Sequence, residues 1–283
     1  MLYLKQMSAS PSLSGVQSHF NLNWQGYLWR FTGLILSLVL LAFGQVRQSI
    51  SLTIAGIILS VLFVILVTTS LWALNRSSKV AGDQTVEYLY RLSQTRSSDA
   101  LACVDAGLRW PAIAISHHLT SGHMHVIDIY NPQLMPSKYL ARVRRNAQST
   151  RKDPRLDWYD SNLELLPLPD SSVDAVFLFQ TLSELAQYGD QQALLKEIDR
   201  ILEPNGRLLM AEPANTWPNR LRPGSAVLNL HPPEYWSRLL TDAGFEIRRS
   251  QTLQGVAVCI RADKPSLYAG RQMSLDLDFE SAI

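Results

Sequence analysis

The sequence predicts an α/β domain built on a mainly parallel seven-stranded sheet that closes with an antiparallel hairpin, preceded by two transmembrane helices. Three observations carry that prediction. From residue 101 onward, short β-like runs alternate with helical periodicity, the pattern of a parallel sheet covered by helices on both faces. The last two β-like runs, EIRRSQTL and VAVCIRA, have little but Gln254 and Gly255 between them, so they pair antiparallel. Ahead of the domain, two apolar stretches each come close to the roughly 20 residues that cross a bilayer core.

Those stretches are LWRFTGLILSLVLLAFGQV over 28–46 and ISLTIAGIILSVLFVILVTTSLWAL over 50–74. Arg30 is the one charge in the first, and the second has none. Neither shows the polar stripe of a surface helix, and Trp29 and Trp72 stand near the outer ends, where indoles favour the membrane interface. Two buried helices of a soluble core would satisfy the same pattern. Arg47, Gln48 and Ser49 leave room only for a tight turn. Lys5 and Arg30 precede the hairpin and Arg76, Lys79, Arg91 and Arg96 follow it, against Arg47 alone in the turn. Basic residues thus favour both ends on the cytoplasmic, or equivalent, side. The domain plan is a loose polar tail over 1–27, the hairpin over 28–75, a linker or amphipathic helix over 76–99, the α/β domain over 100–264, and a disordered acidic tail over 265–283.

The apolar surplus is local. The 283 residues are 47% hydrophobic and 18% charged, with a net charge of +2. That is far from the basic excess of a nucleic-acid binder, so no nucleic-acid partner is expected. Cys103 and Cys259 lie in apolar, strand-like runs and read as buried free thiols of a reducing compartment.

In element order, the β-like runs are CVDA, HVIDIY, RLDWY, VDAVFLF, RLLMAE, EIRRSQTL and VAVCIRA, with helical patterns over 111–119, 138–147, 191–202 and 233–243. Open sheets of this kind bind ligands at the carboxyl ends of their strands. The first strand ends at Asp105 and Gly107. The second ends at Asp128, about twenty residues on, where an acid can accept both hydroxyls of a ribose. Asp160, Ser161 and Asn162 after the third offer contacts to an adenine edge. The fourth ends near Gln180, and the fifth at Glu212 and Pro213. Asp105 would equally serve as a cap for the helix that opens near Pro111. His117, His118, His123 and His125 lack a carboxylate or thiol at ligand spacing, so no metal is expected. Arg142, Arg144 and Arg145 read as a solvated helix face, or one against anionic headgroups.

These segments, in this order, resemble a class I S-adenosylmethionine-dependent methyltransferase. The ACVDAGLRWP turn is similar to the family's first motif and VIDIY to its second. LPLPDSSVDAVFLFQTLSEL resembles the loop and fourth strand, ALLKEIDRILEPNGRLLMAEP the helix, Pro-x-Gly turn and fifth strand, and HPPEYWSRLLTDAGFEI the last helix. The resemblance implies a Rossmann-like fold, S-adenosylmethionine as cofactor, and a cofactor-binding set of Asp105, Gly107, Arg109, Asp128, Ile129, Asn162, Leu163 and Gln180. Arg109 and Pro111 stand where the family usually has glycine, and Asn162 where it often has aspartate. Gly107 can still supply the unusual backbone angle, Pro111 suits a first helical turn, and Arg109 is placed to pair with the cofactor carboxylate or to fill the pocket. The expectation is a modified loop that still works.

Methyl transfer needs alignment and exclusion of water, plus a base when the acceptor is a hydroxyl. The segment 213–232 is the natural lid. His231, at its end, is the candidate base, with Glu184 and Glu212 as alternatives. The hairpin points to a small, hydrophobic, membrane-resident acceptor, such as a lipid or quinone precursor. Two other readings stay open. One is a non-catalytic descendant that binds cofactor or a protein partner at the membrane. The other is a dinucleotide enzyme, disfavoured because a glycine-poor loop does not readily take a pyrophosphate.

Overall fold

The computed structural model describes residues 11–79, 82, 84–146, 153–220 and 230–266. The acidic tail from 267 and the middle of the 213–232 lid, 221–229, lie outside the described residues. Two long helices lead, α1 (Pro11–Val46) and α2 (Ile50–Lys79), then a short α3 (Thr85–Ser93). The α/β domain follows as β1 (Leu101–Asp105), α4 (Trp110–Ser116), β2 (Met124–Asp128), α5 (Lys138–Asn146), β3 (Leu156–Asp160), β4 (Val173–Phe179), α6 (Tyr188–Ile201), β5 (Leu202–Pro213), α7 (Trp217–Arg220), α8 (Pro233–Asp242), β6 (Glu246–Leu253) and β7 (Ala257–Asp263).

The strands form one sheet in the order β3-β2-β1-β4-β5-β7-β6. The first five are parallel, and β7 runs antiparallel between β5 and β6. The β6–β7 hairpin turns on Gln254 and Gly255, both at positive φ, the geometry that tight right-twisted hairpins require. Side chains alternate across the sheet with period two. Val104, Val176, Leu208 and Met210 face one layer, covered by α5, α6 and α8. Cys103, Phe177, Leu209 and Cys259 face the other, covered by α3 and α4. Both cysteines are buried and free, and burial pushes the Cys259 thiol up to about 12.

In the hairpin, α1 and α2 pack along each other because glycines let the backbones approach. A Cβ at Gly44 would stand 2.6 Å from the Thr53 nitrogen, and one at Gly56 2.6 Å from the Leu41 Cα. Gly33 sits under the Phe63 ring in the same way. Ser60 donates across the interface to Ser37 at 3.1 Å, and Arg30 donates to Ser70. Small residues and interhelical hydrogen bonds hold helices together where water supplies no drive. Outside this seam the helices are bare: only 11% of the apolar window Leu28–Val46 and 6% of Ile50–Ala73 is buried. Among the described residues neither window is buried as a core helix would be.

Residues 11–27, expected in a loose tail, are helical as the first part of α1, and residues 1–10 lie outside the described residues. The stretch expected to link hairpin and domain is largely part of the domain. Val86 and Leu89 of α3 enter the sheet-facing layer. Arg207 and Arg261 donate at 3.0 Å to the carbonyls of Ser93 and Leu92, satisfying the groups a helix C-terminus leaves open.

Candidate cofactor and acceptor site

Parallel registry brings three carboxylates side by side at one sheet edge: Asp105 pairs with Asp128, and Asp128 with Asp160. Asp105 is buried, and its two oxygens accept from the Leu108 and Arg109 amides at 2.9 Å each. It therefore holds the loop after β1 in shape. Burial raises its pKa against the pull of those amides. The Ile129 amide donates to the Asp105 carbonyl at 3.0 Å, while the Ile129 side chain lies in the core.

The loop itself has two residues at positive φ, Gly107 at 115° and Arg109 at 60°. The second is a position where the resembling family has glycine, and the backbone keeps a positive φ with an arginine in it, a conformation that costs ~1–3 kcal/mol for a non-glycine residue. The Arg109 guanidinium lies over the Trp158 ring at 5.9 Å, toward β3, and Pro111 sits in the first turn of α4.

Arg144 is the residue that the sequence placed differently. The sequence pattern puts it on a solvated helix face, or one against anionic headgroups. Instead its Nη1 donates to both Asp128 oxygens at 2.7 Å and to the Ala106 carbonyl at 3.0 Å, and its guanidinium covers the Tyr130 ring at 4.2 Å. Its side chain also fills the space that a Cβ at Gly107 would need. The physical reason is charge: Asp128 is nearly buried, and a buried carboxylate needs a partner. Periodicity could not reveal this, because the pairing depends on the turn that brings α5 back over β2.

Asn162 and Leu163 follow β3. The Asn162 side-chain Oδ1 accepts from the Glu164 and Leu165 amides at 3.2 and 2.9 Å, closing an Asx turn, and Leu163 is a core side chain. Gln180 stands at the end of β4 with φ 54°, its amide bonded to the Ala211 carbonyl at 2.8 Å. The buried Thr181 donates to the Val104 carbonyl at 3.0 Å, tying that end of β4 to β1.

Gln180 opens onto a narrow cleft at the carboxyl ends of β4 and β5 that is partly open to solvent. Its walls are Thr85, Leu108, Trp110, Phe179, Gln180, Ala211, Glu212, Pro213, Val256 and Ala257. The cleft thus adjoins the β1 loop through Leu108 and Trp110. Thr85 comes from the start of α3, and Val256 and Ala257 from the terminal hairpin. Glu212 is the ionisable residue among those walls. Its oxygens accept from the Leu182 and Ser183 amides at 3.0 and 3.1 Å, and burial pushes its pKa up to about 7.

His231 is elsewhere. It bridges to Ala214, stacks on Tyr235 at 4.0 Å and meets the Trp236 ring edge-on at 5.3 Å. Those partners belong to the layer under α8, whereas the cleft walls Leu108, Trp110, Phe179, Ala211 and Ala257 belong to the layer under α4. Burial lowers the His231 pKa. Glu184 also lies outside the cleft walls, and burial raises its pKa. Among the other histidines, His118 stacks on Tyr90 at 4.1 Å and His125 tilts against Tyr159.

Residues 115–210 match the family profile described as a methyltransferase domain. The chain is 39% identical over 102 residues to a probable S-adenosylmethionine-dependent methyltransferase of Mycolicibacterium smegmatis, covering 33% of this chain and 37% of that one. It is 40% identical over 60 residues to a probable S-adenosylmethionine-dependent methyltransferase of Mycobacterium tuberculosis, covering 21% of each. The chain therefore spans well under half the length of these curated relatives. A solved S-adenosylmethionine-dependent methyltransferase from Aquifex aeolicus superposes with a TM-score of 0.51 at 17% identity, covering 66% of this chain and 92% of that one, which establishes the fold. Residues 115–210 thus carry the sequence match to a methyltransferase domain, and the region from β1 to β7 has the fold of the solved S-adenosylmethionine-dependent methyltransferase.

Proposed function

We propose that this chain is a membrane-anchored methyltransferase acting on a small, hydrophobic acceptor that resides in the bilayer. The observation that carries the reading is the apolar cleft adjoining the β1 loop, with the Gly107 turn on one side and Glu212 in its wall. When bound, S-adenosylmethionine supplies a methyl group activated by a sulfonium. The chain's residues fit such a cofactor: Asp128 is a charged acceptor for ribose hydroxyls, Gly107 leaves its loop without a Cβ, and Asn162 and Gln180 border the same strand ends. Arg109, aimed at Trp158, is available to the cofactor carboxylate only by swinging away from that ring.

For the acceptor, apolar walls exclude water and Trp110 and Phe179 offer flat surfaces. Glu212 is our candidate for taking the acceptor's proton, in preference to His231, because it lines the cleft. The bare apolar surface of the hairpin supports lipid around α1 and α2, with both chain ends on the cytoplasmic or equivalent side.

One observation favours the second reading, a non-catalytic descendant: Arg144 holds the carboxylate that ribose would use. Calorimetric titration of the purified protein with S-adenosylmethionine, S-adenosylhomocysteine and NAD tests the cofactor, and methyl transfer to a lipid extract, read as S-adenosylhomocysteine released, separates the two. The methyltransferase reading expects the first two to bind and NAD not to. Asp128→Ala should weaken binding about tenfold or more, since hydrogen bonds to a charged group are worth roughly 1.5–3 kcal/mol. Absence of binding in the folded wild-type protein would favour the descendant.

A further inference from the structure

Trp72 is the second-last residue of the apolar window Ile50–Ala73. On the membrane reading above, on which this inference rests, its indole lies in the interfacial layer, where tryptophan is favoured. The Trp217 ring stacks on it, with centroids 5.0 Å apart and planes 3° from parallel. Both rings remain well exposed, Trp72 at 43% and Trp217 at 58%. A stacked pair of large, exposed aromatic rings is poorly placed in water and well placed at headgroup depth, where one end is apolar and the other wet.

Trp217 opens α7, and α7 is clipped to the cleft. The Asn219 side-chain amide donates to the carbonyls of Ala214 and Val256 at 2.7 Å each. Thr216 donates to the Gly255 carbonyl. Val256 and Pro213, the neighbour of Ala214, are themselves walls of the cleft. The depth of Trp217 therefore sets the depth of that wall. Thr85, another wall of the cleft, lies only twelve residues beyond Ala73 in the chain.

We infer that the Trp72–Trp217 pair seats the rim of the cleft in the headgroup layer, so that the acceptor is an amphiphile that enters sideways from the bilayer with its reactive group at headgroup depth. An acceptor whose reactive atom lay deep among the acyl chains would not reach a cleft held at this level. The partner surface is the lipid interface itself, and α7 is the part of the domain that meets it.

Quenching by brominated lipid tests this in the full chain. The protein is reconstituted into phosphatidylcholine vesicles brominated either near the headgroup end of the acyl chains or near the methyl end. The emission lost in Trp72→Phe and in Trp217→Phe, relative to wild type, isolates each indole while a ring stays in the stack. The expected result is that both components lose most of their emission to the shallow bromine and little to the deep one. A quenched Trp72 component beside an unquenched Trp217 component would overturn the inference and leave the hairpin in the bilayer. If neither is quenched, the membrane reading fails and the inference with it.

Discussion

Arg144 and Asp128 meet at the point where cofactor recognition is decided. The Arg144 guanidinium lies on both oxygens of a carboxylate that is nearly buried, so ribose hydroxyls must compete with a charge-assisted pair. Arg144→Ala removes the competitor and leaves Asp128 in need of partners. The expected outcome is S-adenosylhomocysteine binding about tenfold tighter, or ~1.4 kcal/mol, measured by calorimetry. Weaker binding would instead make Arg144 a cofactor contact. Glu212 poses a different question at the same scale. Burial raises its pKa from 4.5 to about 7, so the fold favours the protonated form. Its contribution to stability is fully present below the unfolded-state value and is lost as pH rises through about 7, a change of about 3 kcal/mol. Denaturant midpoints of wild type should therefore fall between pH 5 and pH 8 by more than those of Glu212→Gln. Equal slopes would mean that Glu212 ionises in the fold as it does in water.

The hairpin is the element whose packing is most directly testable. Its seam is made of residues too small to hold helices apart, and Ser37 and Ser60 face each other across it at 3.1 Å. Replacing both with cysteine should give an intramolecular disulfide on mild oxidation, since the bridge needs Cβ atoms about 3.5–4.5 Å apart. The native thiols, Cys103 and Cys259, are buried and should not interfere. Adding Gly56→Leu to that pair forces a side chain against the Leu41 backbone and should abolish the crosslink. Thiol-reactive mass tagging reads both results, and a crosslink that survives Gly56→Leu would place the seam elsewhere.

For the whole molecule the question is sidedness. If the hairpin spans the bilayer, the turn at Arg47–Ser49 lies on one side and the α/β domain on the other. A glycosylation or phosphatase reporter in that turn should report the side opposite to one fused after Ile283. The same side for both would dismiss the two-span arrangement, and the interfacial role of Trp217 would go with it.

Periodicity and composition determined the α/β class, the seven strands, the terminal hairpin and the two apolar spans, because these rest on local patterns whose period is set by backbone geometry. Motif order pointed to a methyltransferase-like domain and placed Asp105, Gly107 and Asp128 at strand ends, since each follows directly on a short apolar run. Contacts between residues far apart in the chain were not legible. Arg144 was read as solvated because a helix face shows its neighbours only after the turn that folds it over β2. Thr85 joined the cleft because α3 docks on the sheet rather than merely linking it to the membrane. His231 and Glu212 both follow from the end of β5, yet only the packing of the chain beyond that strand decided that Glu212 lines the cleft while His231 stacks on Tyr235 at the start of α8.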